Sequence, residues 1–175
     1  KLLQLLLKNK WRDFEQAIAY NPEQWRPLVF SNGCFDLIHA GHIRYLTQAK
    51  SLGRSLVVGL NSDRSVRLIK PHSAGYPPRP IIPELQRAEV LSHLKPVDAV
   101  VIFPESTATE IIEQLQPDIY VKGGDYTIDT LPEAPTVQSY GGKIVLIAVE
   151  MPTSTSGIIN RILHHHTPPN LGMNP

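Results

Sequence analysis

Short apolar runs alternate with amphipathic stretches along most of the chain, and the two kinds of segment predict different elements. Apolar positions at helical spacing fill residues Leu2 to Tyr20, after which "NPEQWRP" breaks the pattern. "LVF" (28–30) predicts a buried strand and His42 to Leu52 a helix closed by Gly53. "SLVVGLN" (55–61) predicts a second strand, "ELQRAEVLSHL" (84–94) a helix and "AVVIF" (99–103) a third strand. "TATEIIEQLQ" (107–116) predicts a helix with Thr107 as its cap, followed by the strand "DIYVK" (118–122). "KIVLIAV" (143–149) is the last predicted strand, and "TSTSGIINRIL" (153–163) opens a final helix. From "HHHTPPNLGMNP" onward periodicity is lost, which predicts a disordered tail whose histidines are inert.

Strands separated by helices predict βαβ units: an α/β, Rossmann-like, doubly wound parallel sheet of five strands. Ligands of such sheets bind outside the carboxyl ends of the strands. Four polar clusters fall at those ends: "SNGCFDLIHAGH", "NSD" (61–63), "KGGDY" (122–126) and "TSTS" (153–156). Their shared position points to one site.

Composition narrows what that site can hold. With 175 residues, 42% hydrophobic content and a formal charge of +1, the chain has no global attraction for nucleic acid, so any bound anion needs a local cluster. Its single cysteine, Cys34, cannot form an intramolecular disulfide. No apolar run reaches the ~20 residues of a membrane span, and "KLLQLLLKNK" lacks a small-residue cleavage site, so the expected location is the cytoplasm.

The first cluster is the richest. Gly33 lets backbone approach a ligand, and the helix that follows offers unpaired N–H groups. His39 and His42 lie three residues apart around Gly41, so their imidazoles share one helical face. There they can donate hydrogen bonds to phosphate oxygens. A zinc site is the weaker reading, since further ligands at suitable spacing are missing. The plainest alternative is that both rings only satisfy turn backbone.

"GCFDLIHAGH" resembles the G-x-F-D-x-x-H-x-G-H signature of the nucleotidylyltransferase superfamily. "VVGLNSDRSVRLIK", "RPIIPELQRAEVL", "VDAVVIF", "PDIYVKGGDY" and "TSTSGIINRI" follow in the order of one branch, the D-glycero-β-D-manno-heptose 1-phosphate adenylyltransferases. The resemblance spans Val29 to Leu163 and implies a nucleotidylyltransferase domain over 27–163, between a helical extension (1–26) and the tail (164–175). It implies transfer of AMP from ATP to heptose 1-phosphate, with Mg²⁺ and release of pyrophosphate. His39, His42, Lys70 and Arg87 would then be catalytic. Asn32, Gly33, Cys34, Phe35, Gly41, Lys122, Gly124, Asp125, Ser154, Thr155 and Ser156 would join the histidines around ATP. Asp36, Asn61, Asp63, Lys70 and Arg87 would face the sugar phosphate. Ser154, Thr155 and Ser156 at a helix N-terminus suit a phosphate, although plain N-capping would use only one of them. Asp125 could take Mg²⁺ or a hydroxyl, or simply make a turn. Cys34 needs no catalytic role, because a small buried hydrophobe explains it.

Three departures surround the acceptor: Gln86 replaces an acidic residue, the loop "KPHSAGYPPRP" is long and proline-rich, and Met151-Pro152 stand where a glycine is usual. Two alternatives follow, a cytidylyltransferase acting on an alcohol phosphate such as glycerol 3-phosphate, and a non-catalytic nucleotide-binding module. The expected partners are small molecules, not nucleic acid or a membrane. "LLQLLL" could form a homodimer contact, and a heptose kinase, either a separate polypeptide or a deleted fusion partner, would supply the 1-phosphate.

Overall fold

The computed structural model describes residues 22–124, 126–148 and 153–164. The expected N-terminal helix, the tail, Asp125 and Met151-Pro152 lie outside these described residues. Five strands form one parallel sheet: β1 (Leu28–Gly33), β2 (Ser55–Asn61), β3 (Ala99–Phe103), β4 (Ile119–Gly123) and β5 (Lys143–Ile147). Their order is β3-β2-β1-β4-β5, so the winding direction reverses between β1 and β4. At such a reversal the two neighbouring crossovers leave on opposite faces and open a crevice above the strand ends.

Alternation within β1 divides the core. Leu28 and Phe30 point to one face, with Val57, Val101, Tyr120, Ile112 and Val137, while Val29 points to the other, with Leu46, Val58, Leu91 and Val121. Each fully buried aliphatic or aromatic side chain contributes about 1.5–3 kcal/mol. The first face is covered by α5 (Thr109–Leu115) and α6 (Ala134–Ser139), the second by α2 (Ala40–Ser51) and α4 (Glu84–Ser92). A short helix α1 (Pro22–Trp25) precedes β1, within the segment expected to break helical pattern. The chain also holds α3 (Asp63–Ile69), a 3-10 turn (Ile128–Thr130) and α7 (Thr155–His164).

Several predicted boundaries move for local reasons. Helix α2 starts at Ala40 rather than His42, because His39 caps it: its Nδ1 accepts the Gly41 amide. Thr107 does not cap α5. The helix begins after Ala108, whose amide is taken by Oε1 of Glu133 at 3.1 Å, while Thr107 bonds the Thr109 hydroxyl. β5 ends at Ile147, two residues early. Helix α3 had been read only as a polar cluster, although Ser62 Oγ caps it by accepting the Ser65 amide.

Candidate active site

A cavity of about 690 Å³ opens above the carboxyl ends of β1, β2 and β4, at the reversal of the sheet. The turn after β1 supplies one wall, from Asn32 to Asp36, and the start of α2 continues it with His39, Gly41 and His42. Phe35 holds this turn in an unusual conformation, with φ +44° and its ring buried. A Cβ on Gly33 would stand 3.1 Å from the Phe35 ring, so glycine is what lets that ring fold back. The ring in turn packs on His42, centroid to centroid at 5.5 Å.

The histidines are fixed by the backbone they cap. Nδ1 of His42 accepts the His39 amide at 3.3 Å and Nδ1 of His39 accepts the Gly41 amide at 3.2 Å. With both Nδ1 atoms accepting, the neutral rings carry their protons on Nε2. The rings lie 4.1 Å apart. Burial, reinforced by the neighbouring His39, pushes His42 down to about 4, and burial also lowers His39. At neutral pH the turn therefore presents two uncharged N–H donors.

Opposite stands the start of α7, where Ser154, Thr155 and Ser156 line the cavity. Ser154 Oγ accepts the Gly157 amide at 3.0 Å and so serves as the cap. The Thr155 hydroxyl is turned to Leu37 O at 3.4 Å, which ties α7 to the β1 turn.

Lys122, at the end of β4, lines the floor and donates to Asn32 Oδ1 at 3.1 Å. The same oxygen accepts the Tyr120 hydroxyl at 2.8 Å. Burial lowers the Lys122 ammonium, opposed by the charge of Glu133. Lys70 and Asn61 reach the cavity as expected, with Asn61 Nδ2 donating to Ser65 Oγ. Gly123 rather than Gly124 lines it.

Arg87 and Asp63 stand elsewhere. The Arg87 side chain is fully buried and donates to Ile82 O, Cys34 O, Asn61 O and Asp63 Oδ1 at 2.6–2.9 Å. Neither residue lines the cavity. The expectation that they touch a reactant gives way to a clamp joining the β1 turn, the end of β2 and the start of α4. Asp36, which lines the cavity, is likewise engaged, accepting from Arg79 Nε and from the amides of Ile81 and Ile82. It thereby straps the proline-rich loop to the β1 turn. The Cys34 thiol, in the same turn, is raised by burial despite nearby Lys70, Arg87 and Arg79.

Among the lining residues that had not been anticipated, two are charged, Arg79 and Glu133. Both sit between prolines in segments without periodicity, where only their charge amid apolar and proline residues could have marked them.

Residues 30–169 match the family described as cytidylyltransferase-like. The chain belongs to that family. Membership makes it a nucleotidyltransferase, and the His39–His42 turn sits where a doubly wound sheet binds nucleotides. The Bifunctional protein HldE of Syntrophotalea carbinolica is 49% identical over 141 residues, which is 81% of this chain and 28% of that protein. The protein of the same name from Geotalea uraniireducens is 50% identical over 135 residues, 77% of this chain and 26% of its own length. The chain thus spans under a third of the curated relatives it matches. Among solved structures, the lipopolysaccharide core biosynthesis protein of Thermoplasma volcanium superposes with a TM-score of 0.56 at 28% identity, over 71% of this chain and 97% of that one. A macrolide-efflux protein of Streptococcus pneumoniae, 23% identical over 77% of this chain and 51% of its own, gives the same TM-score and shares the fold alone.

Among the described residues no helix is long and apolar enough to cross a membrane. Nor do three metal-ligating side chains converge there. Mg²⁺ is usually held by substrate phosphates with one or two carboxylates, and among the described residues no protein cage for it is built.

Proposed function

We propose that this cytidylyltransferase-like domain transfers AMP from ATP to D-glycero-β-D-manno-heptose 1-phosphate, releasing pyrophosphate. In that reaction an oxygen of the sugar phosphate attacks the α-phosphorus, a new P–O bond forms, and the bond to the β-phosphate oxygen breaks. Such transfers need positioning and charge neutralisation more than covalent help. The observation that carries the reading is the backbone-locked histidine pair, two Nε2–H donors on one face of the cavity. These donors hydrogen-bond triphosphate oxygens and strengthen as charge moves toward the leaving pyrophosphate. Lys122 and Lys70 supply positive charge, and the N–H groups at the start of α7 receive a further phosphate oxygen. Asp36, Asn61 and Arg79 border the acceptor, while Arg87 and Asp63 hold the wall behind it.

The choice of heptose rests on resemblance to the HldE proteins across four-fifths of the chain. A sugar 1-phosphate has to come from a kinase. The word "bifunctional" in those relatives' name, and the length they have beyond the matched segment, support the second of the two expected arrangements, a fused kinase. Pyrophosphate release decides the reading, measured with ATP or CTP against heptose 1-phosphate or glycerol 3-phosphate. Release with ATP and heptose 1-phosphate is expected; release only with CTP would refute it.

A further inference from the structure

Glu133 has no task in the reaction as proposed, yet its environment demands one. The residue is only 3% exposed and lines the inner end of the cavity beside Ser106, Thr107 and Leu131. Its Oε1 accepts the Ala108 amide, which caps α5. That cap needs a single acceptor atom, and a neutral side chain would serve it. Oε2 is buried and forms no hydrogen bond, although the Tyr120 hydroxyl lies close to the carboxylate. A buried carboxylate oxygen left without a donor is costly and rare in folded proteins.

Two donors stand near, the Tyr120 hydroxyl with one proton and the Lys122 ammonium with three. Glu133 lies close enough for its charge to act on both Tyr120 and Lys122. Both of those groups, however, donate to Asn32 Oδ1. The Thr107 hydroxyl pairs with that of Thr109 at 3.1 Å. Around Glu133 the cavity thus offers a carboxylate and small hydroxyls beside the Lys122 ammonium, an environment that receives hydroxyl donors. The other cationic and N–H-rich groups of the cavity are Lys70, Arg79, the histidine pair and the start of α7.

We propose that Glu133 is a specificity residue for the acceptor, accepting a hydrogen bond from a carbon-bound hydroxyl of a phosphorylated polyol or sugar at the inner end of the cavity. The inference rests on the transfer reaction proposed above and deepens it. It names what part of the acceptor is read. Sites built to receive a hydroxyl reject analogues that lack it, because their own polar groups are then left unpaired.

The test is a cycle between enzyme and substrate. Wild type, Glu133→Gln and Glu133→Asp are assayed for pyrophosphate release with ATP, heptose 1-phosphate and its monodeoxy analogues. Dissociation constants of the same sugars are read by calorimetry in the presence of a non-hydrolysable ATP analogue. Glu133→Gln is expected to raise KM for the sugar at least tenfold and to leave KM for ATP within twofold. One monodeoxy analogue should lose about tenfold in kcat/KM with wild type and nothing further with Glu133→Gln. A purely structural role would not produce that coupling. If Glu133→Gln does not fold, Glu133→Asp carries the cycle. Equal losses for every analogue in both enzymes would overturn the inference, as would a rise in KM for ATP instead of sugar, which would assign the carboxylate to Lys122. If wild type uses a different phosphorylated acceptor, the cycle is run on that compound's hydroxyls. Coupling there keeps the role of Glu133 while the heptose assignment falls.

Discussion

The amide of His39 donates to Nδ1 of His42, so one histidine of the pair is oriented by the backbone of the other. The arrangement holds only while Nδ1 of His42 is unprotonated. Burial pushes that ring down to about 4, below an unfolded value near 6.5. Between those values the unfolded chain binds a proton that the folded chain refuses, so stability falls as pH drops through this window and is fully present above it. The expected loss on going from pH 7 to pH 4 is on the order of 1–2 kcal/mol for this half-exposed ring, after allowance for solvent screening. Thermal melting of the unliganded protein across pH 4–8 measures it, and His42→Gln should flatten the profile. An unchanged slope in that variant would dissociate the histidine from the acid sensitivity.

Arg87 places a guanidinium where three carbonyls and the carboxylate of Asp63 converge. Lysine cannot reproduce that planar fork. Removing the guanidinium strands its acceptors in the interior, and breaking a buried pair costs about 3–5 kcal/mol. Arg87→Ala should therefore lower the melting temperature severely. Arg87→Lys should fold less stably and lose kcat with little change in KM for ATP, because it moves the Cys34 carbonyl and the histidine turn without touching nucleotide. Normal stability with a raised KM would instead mean that the guanidinium reaches a reactant.

Gly33 is predicted to be intolerant of even one methyl group. A Cβ would sit 3.1 Å from Cε2 and 3.4 Å from Cζ of Phe35. The ring cannot retreat freely, because it is buried and backs onto His42. Overpacking of this kind costs about 1–3 kcal/mol. Gly33→Ala should also reduce kcat by displacing His42, and a crystal structure of the variant should show the Phe35 and His42 rings shifted together.

Legibility in the sequence followed how local each determinant was. The five strands were readable because each buries an apolar run between turn residues. The mislocated strand ends lay within three residues, β1 running on to Gly33 beyond the predicted Phe30 and β5 stopping two residues early. The start of α2 was misread because His39 acts as its cap, a role that residue type seldom signals. Loop orientation was one of the roles open to Asp36, whereas Arg87 was recognised as important but not for what it holds. Apart from Ile82, five residues from Arg87, their partners lie 24 to 53 residues away, and no spacing rule reports contacts across that distance. Glu133 escaped altogether. Its cap on α5 and its place in the cavity exist only once β3 and β4 stand on opposite sides of β1 and β2.

Lys122 offers the sharpest separation of binding from stability. Its ammonium is desolvated, which lowers its proton affinity, and its hydrogen bond to Asn32 is shared with Tyr120. A buried ammonium held by one neutral acceptor adds little to stability, because desolvation offsets most of the bond. Beside a triphosphate the same desolvation strengthens its attraction. Lys122→Met should accordingly leave the melting temperature within a few degrees while raising KM for ATP about tenfold, a loss of ~1.4 kcal/mol in binding. In wild type, KM for ATP should begin to climb at a pH below the ordinary lysine range near 10.4, since the lowered ammonium loses its proton early. A variant that melts much lower but binds ATP normally would make Lys122 a structural residue and remove it from the triphosphate site.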